Sequence, residues 1–183
     1  MEFVLGITGA SGVQYGIRTL EVLSQVAKTH LIITHSAKSI IKIESNFSVQ
    51  KIENMATYVY EENELTAPVA SGSYQFNGAI IAPCSMKTLA EIANGISDNL
   101  ITRVADVCLK EGKTLILMPR ETPLSLIHLK NMVAVKQAGA IILPACPAFY
   151  PQPQSISDII DFMVGKALDL MKIDHDLYKR WGD

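Results

Sequence analysis

The chain has 183 residues, of which 49% are hydrophobic and 19% are charged. This length and composition suit one domain with one sizeable core. The 16 basic and 18 acidic residues give a formal net charge of -2, with no run of like charge that would favour nucleic acid or a membrane surface as partner. No apolar stretch reaches the roughly 20 residues that span a bilayer. The composition therefore favours a small molecule as the ligand.

The beginning of the chain and its cysteines indicate where the protein works. Met1 to Gly6 enters an apolar strand and lacks the basic and cleavage regions of a targeting peptide, so we expect a cytoplasmic protein. Cys84, Cys108 and Cys146 are widely spaced and form no CxxC pair, which predicts reduced thiols rather than disulfides or a zinc site.

Short β-rich apolar runs alternate with longer helical patterns along the chain. The predicted strands are 3–8, 30–34, 78–83, 114–118 and 140–144, with one short strand near 57–60 in the otherwise irregular segment 46–77. The predicted helices are 13–27, 36–45, 86–94, 98–111, 123–138 and 155–171. Such alternation predicts a single α/β domain over residues 1–183, with a mostly parallel sheet in a Rossmann-like (flavodoxin-like) three-layer sandwich.

Two helix starts carry recognisable signals. Pro123 suits the first turn of one helix, and Ser155 or Ser157 suits the N-cap of the last one, before Asp158. In open parallel sheets, ligands bind beyond the carboxyl ends of the strands. The segments that follow each strand are therefore where we expect the chemistry.

The first of these segments is the glycine loop, Gly6-Ile7-Thr8-Gly9-Ala10-Ser11-Gly12, with a helix from about Val13. Glycines let backbone N–H groups approach an anion, the helix N-terminus favours negative charge, and Ser11 adds a hydroxyl donor. The loop therefore predicts a site for the phosphate of a nucleotide or flavin. A tight strand-to-helix turn is the alternative, since the string is neither GxGxxG nor GxxxxGK[ST].

The third predicted strand leads into a second polar segment. Ser85 and Thr88 at the start of the following helix can donate to an anion or a ring carbonyl, or they cap the helix. Cys84 is expected to be packed. The next helix carries Arg103 and Lys110 two turns apart on one face, and a solvated surface is their alternative interpretation.

The fourth and fifth predicted strands end in proline-bounded loops. Arg120 offers a fixed fork for phosphate or carboxylate, and Glu121 beside it is a candidate acid, base or ion-pair partner. The segment 144–153 has four prolines around Phe149 and Tyr150. A stiff loop of this kind can wall an apolar pocket, with the Tyr150 hydroxyl at its edge.

Taken together, the strings resemble the UbiX-like flavin prenyltransferases, within the wider group of homo-oligomeric flavin-containing cysteine decarboxylase-type proteins. The match follows the family's order over nearly the whole chain, in GITGASG, APCSMKTLAEIANGISDNLITRVADV, PRETPLSLIHLKNM, PAFYPQPQSISDIIDF and the terminal Arg180-Trp181. The resemblance implies that reduced FMN is alkylated at N5 and C6 by dimethylallyl monophosphate, with release of phosphate. The product, prenylated FMN, would serve a UbiD-type decarboxylase, and the chain would form a homo-oligomer, typically a dodecamer.

The resemblance also implies roles for single residues. The residues implied to line the FMN site are Gly9, Ala10, Ser11, Thr34, Ser85, Met86, Lys87, Thr88 and Arg120. Those implied around the allylic phosphate, some of them from a neighbouring subunit, are Arg103, Lys110, Glu121, Tyr150 and Lys166. Ser11 and Glu44 match positions near flavin N5, where a proton must leave. Thr34 and Lys166 depart mildly from the family pattern, which more often has serine and arginine there.

The chemistry of an allylic phosphate suits these residue types. Its ionisation places negative charge on the leaving oxygens and positive charge on the prenyl fragment. Arg103, Lys110 and Lys166 can hold the phosphate, while Tyr150 and Trp181 can face the cation. Prenyl synthases that use diphosphates hold Mg²⁺ with aspartate-rich helices, and the chain has no DDxxD string. We therefore expect the reaction to proceed without a metal ion.

Three other classes of protein are alternatives to this interpretation. A flavin-dependent cysteine decarboxylase would have PASANT-like and PxMNxxMW-like strings, where APCSMKT and PRETPLS stand. A non-catalytic FMN-binding accessory subunit of an aromatic-acid decarboxylase would leave the basic and acidic site residues unexplained. A Rossmann-type dehydrogenase would have GxGxxG and an acidic residue about 20 positions later. The histidines, His30, His35, His128 and His175, are interpreted as helix-face or strand-end residues.

Overall fold

The computed structural model describes residues 1–182, and the central element of this part of the chain is a six-stranded sheet. The strands are β1 (Glu2–Ile7), β2 (Lys28–Ile33), β3 (Tyr58–Tyr60), β4 (Gly78–Cys84), β5 (Thr114–Pro119) and β6 (Ile141–Ile142). They lie in the order β3-β2-β1-β4-β5-β6, and every neighbouring pair is parallel. The order reverses between β1 and β4, where doubly wound sheets open a crevice for ligands.

Helices cover both faces of this sheet. They are α1 (Val13–Val26), α2 (His35–Glu44), α3 (Val49–Glu53), α4 (Met86–Ala93), α5 (Leu100–Lys110), α6 (Leu126–Gln137) and α7 (Ile156–Leu170). Side chains of β1 alternate between the two cores that result. Phe3, Leu5 and Ile7 pack with α1, α2 and α7, while Val4 packs with α4 and α5 on the other face. The predicted α/β sandwich is confirmed, and its sheet is entirely parallel.

Local sequence explains where the helices begin. Asn99, Ser125 and Ser155 each accept a backbone N–H three residues on and complete a capping box at the start of α5, α6 and α7. The prediction of Ser155 is confirmed. The prediction that Pro123 lies in a first helical turn is wrong, because the Ser125 box with His128 sets the start of α6 at Leu126, three residues later.

His30 differs most from its sequence interpretation. The side chain is fully buried in the middle of β2, whereas a strand-end position was predicted. Its Nε2 lies 3.1 Å from a carboxylate oxygen of Glu2, and its Nδ1 lies 3.1 Å from the Tyr60 hydroxyl. Burial lowers the pKa of His30. A neutral ring that donates to Glu2 and accepts from Tyr60 satisfies both contacts.

The Glu2 carboxylate is the charged centre of this cluster at the amino end of the sheet. Hydrogen bonds from His30, Tyr74 and Lys28 lower the pKa of Glu2 from 4.5 to about 2. The folded protein therefore holds this proton more weakly than the unfolded chain does. The stability that Glu2 contributes is present above pH 4.5 and is lost as the pH falls to about 2.

Replacing Glu2 with glutamine removes that titration. We expect Glu2→Gln to lower the free energy of unfolding at neutral pH and to flatten its decline between pH 4.5 and about 2. Urea unfolding at steps across this range measures both effects. Glu64→Gln, at an exposed loop glutamate, is the matched control. An unchanged acid slope in Glu2→Gln would contradict the assignment.

Candidate active site

The polar residues predicted from the sequence meet at the carboxyl edge of the sheet. The glycine loop follows β1, Thr34 follows β2, Ser85 follows β4 and Arg120 follows β5. These four strands are consecutive neighbours in the sheet, so the segments after them share one edge. The structure thus brings the predicted FMN-site residues of one chain into a single region.

Thr8 links two of these segments from beneath. Its buried hydroxyl donates to the carbonyl of Pro83 at 2.8 Å and accepts the Ser85 N–H at 2.7 Å. The Thr8 backbone N–H also donates to the Pro83 carbonyl at 3.2 Å. The register between the glycine loop and the start of α4 therefore depends on this side chain. Sequence reasoning missed Thr8, although it lies inside the glycine motif.

Hydroxyls at the start of α2 approach the glycine loop on its other side. Thr34 caps α2 by accepting the Ala37 N–H, and its Oγ1 lies 3.1 Å from Oγ of Ser36. The Ser36 hydroxyl faces Gly9 so closely that a methyl group on Gly9 would overlap it. Gly9 is therefore required for close approach. Ser36 was not predicted, and its position just after a strand end was the available signal.

The N-terminus of α1 is occupied by a carboxylate from within the chain. Glu44, the last residue of α2, accepts the Gly12 N–H at 2.8 Å and also interacts with the Val13 N–H and the Ser11 hydroxyl. The prediction that these helix N–H groups face a phosphate is therefore wrong for Gly12 and Val13. A carboxylate can accept hydrogen bonds from the same unpaired N–H groups as a phosphate, and it interacts as favourably with the positive end of the helix dipole.

The charge state of Glu44 follows from these contacts. Partial burial raises the pKa of Glu44, but the Ser11 hydroxyl, the Gly12 and Val13 N–H groups and the Arg120 charge lower it, and the net pKa lies below the ordinary value. Glu44 is thus an ionised acceptor at neutral pH. The resemblance implies that Ser11 and Glu44 lie near the same flavin atom, and the two side chains are in contact with each other here.

Arg120 lies across the glycine loop from β5. Its Nε donates to the Ser11 carbonyl at 3.0 Å, so its terminal guanidinium nitrogens remain for other contacts. Tyr15 packs beside it against Gly12, which adopts a φ of 98° that favours glycine. Burial and the nearby Cys146 raise the pKa of Tyr15. Tyr15 is a third site residue that sequence reasoning missed, because a tyrosine within a helix gives no local signal of a ligand site.

The residues at the start of α4 are placed as caps and packing groups. Ser85 Oγ accepts the Thr88 N–H at 3.2 Å and lies 3.1 Å from the Thr88 hydroxyl, which confirms the capping alternative. Met86 is half-buried against the core beneath. Lys87 is exposed and pairs with Glu91 at 3.1 Å, so its ammonium is turned along the helix.

Lys110 lies apart from this cluster, and Arg103 is bound to groups outside it. Lys110 ends α5, just before β5 begins, and therefore lies at the amino edge of the sheet. Ser11 and Arg120 lie at the opposite edge, about 15–20 Å away over a six-residue strand. Arg103 donates to the Ala70 carbonyl at 2.9 Å and pairs with Asp106 at 2.6 Å. A single chain does not bring Lys110 to the carboxyl edge.

The loops around the site carry the remaining predicted residues. Glu121 is exposed and accepts the Thr122 N–H at 2.9 Å. Tyr150 contacts Trp181 edge to face, with ring centroids 5.2 Å apart, and the two help to line a cavity of about 420 Å³. Lys166 lies 3.9 Å from Asp169 on α7. Within residues 1–182, no helix is long and apolar enough to cross a membrane.

Thr8→Val keeps the shape of the side chain and removes both hydroxyl contacts. We expect it to lower the free energy of unfolding by about 1–3 kcal/mol, because the buried Ser85 N–H loses its acceptor. Urea unfolding gives the value. Flavin affinity is a second readout, and we expect it to fall in Thr8→Val only. Thr57→Val is its control, because the Thr57 hydroxyl accepts the Thr29 N–H away from the site. Flavin affinity that falls equally in both variants would contradict a specific role for Thr8 at the site.

Comparison with known proteins identifies the family. The family model described as Flavoprotein matches residues 1–168. The flavin prenyltransferase UbiX of Methanocaldococcus jannaschii is 51% identical over 182 residues, which cover 100% of this chain and 99% of that protein. A second relative, the flavin prenyltransferase UbiX of Thermoplasma acidophilum, is 46% identical over 99% of this chain and 100% of its own length.

Solved structures agree with the sequence comparison. A crystal structure of AnUbiX (PadA1) in complex with FMN and dimethylallyl pyrophosphate matches with a TM-score of 0.98 and 46% identity, covering 100% of this chain and 97% of that one. The resemblance predicted from the sequence motifs is confirmed. The chain belongs to the Flavoprotein family and, within it, to the UbiX-type flavin prenyltransferases.

Proposed function

We propose that the protein transfers a dimethylallyl group from dimethylallyl monophosphate to N5 and C6 of reduced FMN, yielding prenylated FMN and phosphate. Family membership gives the reaction class. The observation that carries the proposal is the cluster of Ser11, Glu44 and Arg120 at the switch point of the sheet. It combines a hydroxyl, an ionised carboxylate and a guanidinium where a ligand binds in this fold.

The donors around the glycine loop fit FMN. Hydroxyls of Thr34, Ser36 and Ser85 and the guanidinium of Arg120 suit a ribityl phosphate and the ring carbonyls. Because Gly9 has no side chain, the Ser36 hydroxyl lies directly against the glycine loop and adds a donor to this region. When bound, reduced FMN supplies the nitrogen and carbon nucleophiles to which the prenyl group becomes attached.

Ser11 and Glu44 are the proposed route for the proton. Ser11 Oγ accepts the proton released from N5 while its own hydrogen passes to the Glu44 carboxylate, with which it already interacts. The lowered pKa of Glu44 keeps the carboxylate ionised and ready to accept. The two N–H bonds from α1 hold it in place during the transfer.

The donor phosphate requires positive charge, and Arg120 with Lys166 supplies part of it from one chain. Tyr150 and Trp181 present π faces to the positive prenyl fragment. Glu121, exposed beside Arg120, is the proposed acid for the leaving phosphate oxygen. The AnUbiX crystal structure contains dimethylallyl pyrophosphate. Whether this chain uses the monophosphate or the pyrophosphate as prenyl donor is therefore tested below.

We infer that Lys110 and Arg103 reach the site from a neighbouring copy of the chain. Support comes from the position of Lys110 at the amino edge, opposite Ser11 in the same chain. A relative from Escherichia coli O157:H7, described as a dodecameric FMN-dependent UbiX-like decarboxylase, matches with a TM-score of 0.97 and 39% identity over 100% of both chains. Heterologous contacts in a closed homo-oligomer place one edge of a subunit against a different edge of the next.

Family membership also suggests a partner for the product and a location for the protein. A UbiD-type decarboxylase is the proposed recipient, because a prenylated flavin is useful only to an enzyme that takes it up as cofactor. A cytoplasmic location is proposed because Cys84, Cys108 and Cys146 are free thiols. The accessory-subunit and cysteine-decarboxylase alternatives are distinguished from it by the reaction itself.

The direct test is anaerobic incubation of the protein with reduced FMN and dimethylallyl monophosphate, followed by mass spectrometry of the flavin. We expect a mass gain of one prenyl unit and release of phosphate. Dimethylallyl pyrophosphate and an acyl-cysteine substrate are parallel arms. Unmodified flavin in both prenyl arms, or loss of CO₂ from the cysteine substrate, would overturn the proposal.

Substitutions separate flavin binding from transfer. Glu121→Gln and Lys110→Ala are expected to leave the FMN dissociation constant within about twofold and to slow prenyl transfer by about 10²-fold or more. Fluorescence titration of FMN and single-turnover kinetics give the two quantities. Lys113→Ala, a nearby lysine that donates to the Phe76 carbonyl, is the control for Lys110. Parallel loss of FMN binding and turnover would assign these residues to the flavin instead.

Mixed oligomers test the composite site. In a random equal mixture of Ser11→Ala and Lys110→Ala chains, sites built from two copies recover both side chains in about a quarter of cases. Co-expression of differently tagged chains, with tandem purification, provides such oligomers. We expect prenyl transfer well above that of either variant alone. If both residues act within one chain, the mixture stays as inactive as its parents.

A further inference from the structure

The last residues of the described chain form a segment without helix or strand that returns along α7. This C-terminal segment, residues 174–182, carries Trp181, the single tryptophan of the protein. Trp181 is 82% exposed, so burial of its own ring does not hold it beside Tyr150. Contacts earlier in the segment must set its position.

Asp169, near the end of α7, gathers three side chains of the segment. One carboxylate oxygen lies 3.0 Å from Nε2 of His175 and 2.8 Å from a guanidinium nitrogen of Arg180, and the other accepts the Tyr178 hydroxyl. A second guanidinium contact from Arg180 measures 3.3 Å. The carboxylate therefore holds three side chains of the C-terminal segment, six, nine and eleven residues further along the chain, against the end of α7.

The ionisation of Asp169 agrees with this role. Burial raises the pKa of Asp169, but hydrogen bonds from Arg180, Tyr178 and His175 lower it, and the net pKa is about 2. Burial, together with the bond to Asp169, raises the pKa of Tyr178 to about 12. At neutral pH, Asp169 is therefore ionised and Tyr178 is protonated, so the carboxylate accepts hydrogen bonds from the surrounding donors.

Gly165, one turn before Asp169 on α7, is an independent sign that the segment is docked. A Cβ on Gly165 would lie 2.6 Å from ring carbons of Tyr178 and 2.7 Å from Cε1 of His175. The segment therefore packs directly onto the backbone of α7. A glycine in the middle of a buried helix lowers helix stability, and this close approach accounts for it.

A chain of ring contacts leads from this docked point to Trp181. Tyr178 packs against Phe162 with ring centroids 4.9 Å apart, and Phe162 packs against Tyr150 at 5.9 Å. Tyr150 in turn meets the indole of Trp181 at 5.2 Å. Lys166, which lies 3.9 Å from Asp169, is on the same side of α7. The carboxylate and the proposed prenyl-donor pocket therefore share one contiguous set of side chains.

We propose that Asp169 is a positioning residue of the prenyl-donor pocket: by docking His175, Tyr178 and Arg180, it holds Trp181 against Tyr150 and orients Lys166. The inference rests on the proposed function for the role of the pocket. It assigns Asp169 no contact with the flavin or with the reacting atoms. Loss of Asp169 therefore weakens donor binding and leaves FMN binding unchanged.

Trypsin provides a readout of docking that does not depend on activity. Cleavage after Arg180 releases a peptide that contains Trp181, so mass spectrometry and tryptophan fluorescence report the same event. In the FMN-loaded protein, we expect Asp169→Asn to be cut at least about tenfold faster than the wild type, as for loss of a charged hydrogen bond. Asp176→Asn, an equally charged substitution on the exposed side of the segment, should be cut at the wild-type rate.

Kinetics distinguish positioning from general destabilisation. Asp169→Asn should raise the KM for dimethylallyl monophosphate by about tenfold or more, with the FMN dissociation constant within about twofold of the wild type. Gly165→Ala leaves Asp169 intact and is a better helix former, yet its methyl group displaces Tyr178. It should reproduce both the faster cleavage and the raised KM.

The inference and the proposed function fail in different ways. Wild-type cleavage rates in both Asp169→Asn and Gly165→Ala would overturn the docking, whatever the enzyme does. Fast cleavage with an unchanged KM would show that the docked segment does not serve the donor pocket. If the wild type forms no prenylated flavin, the proposed function fails, while the cleavage comparison still tests the docking.

Discussion

The carboxylate of Glu44, bound at the first turn of α1, is the interaction on which the site depends. It joins the end of α2 to the glycine loop through Gly12 and Val13, and it takes the helix N-terminus that a phosphate would otherwise occupy. Ser11 is held between this carboxylate and Arg120, which binds its carbonyl. A loop that is typical of phosphate binding thus becomes the support for a hydroxyl and a carboxylate, which is what proton transfer requires.

The sheet organises the rest around that point. Thr8 fixes the glycine loop against the start of α4, and the strand order reverses between β1 and β4, where ligands bind in doubly wound sheets. The proposed donor pocket is built differently, from the proline-rich loop after β6 and the docked C-terminal segment. A rigid acceptor site beside a donor site made of a loop and a terminus suits a reaction in which the donor must enter and phosphate must leave.

Much of this could be predicted from sequence, because alternation of apolar runs and turn residues is a local signal. All five principal strands and six of the helices lie where the pattern indicates, within a few residues. Long-range partners left no such signal: a glutamate late in α2 and a histidine in β2 acquire their roles only when other elements fold against them. The position of Lys110 at the amino edge depends on the order of strands and helices in the folded chain. The subunit whose site it enters depends on how the chains assemble, which no local sequence pattern indicates.

The most direct measurement is single-turnover prenylation of bound reduced FMN in Glu44→Gln, compared with Glu44→Asp and the wild type. Glutamine keeps the shape of the side chain and can still accept the Gly12 N–H, so FMN affinity should change by no more than a few-fold. If Glu44 accepts the proton through Ser11, transfer should slow by about 10²-fold or more, with partial recovery in Glu44→Asp. Transfer at the wild-type rate in Glu44→Gln, or a loss of FMN binding that matches the loss of rate, would contradict the account.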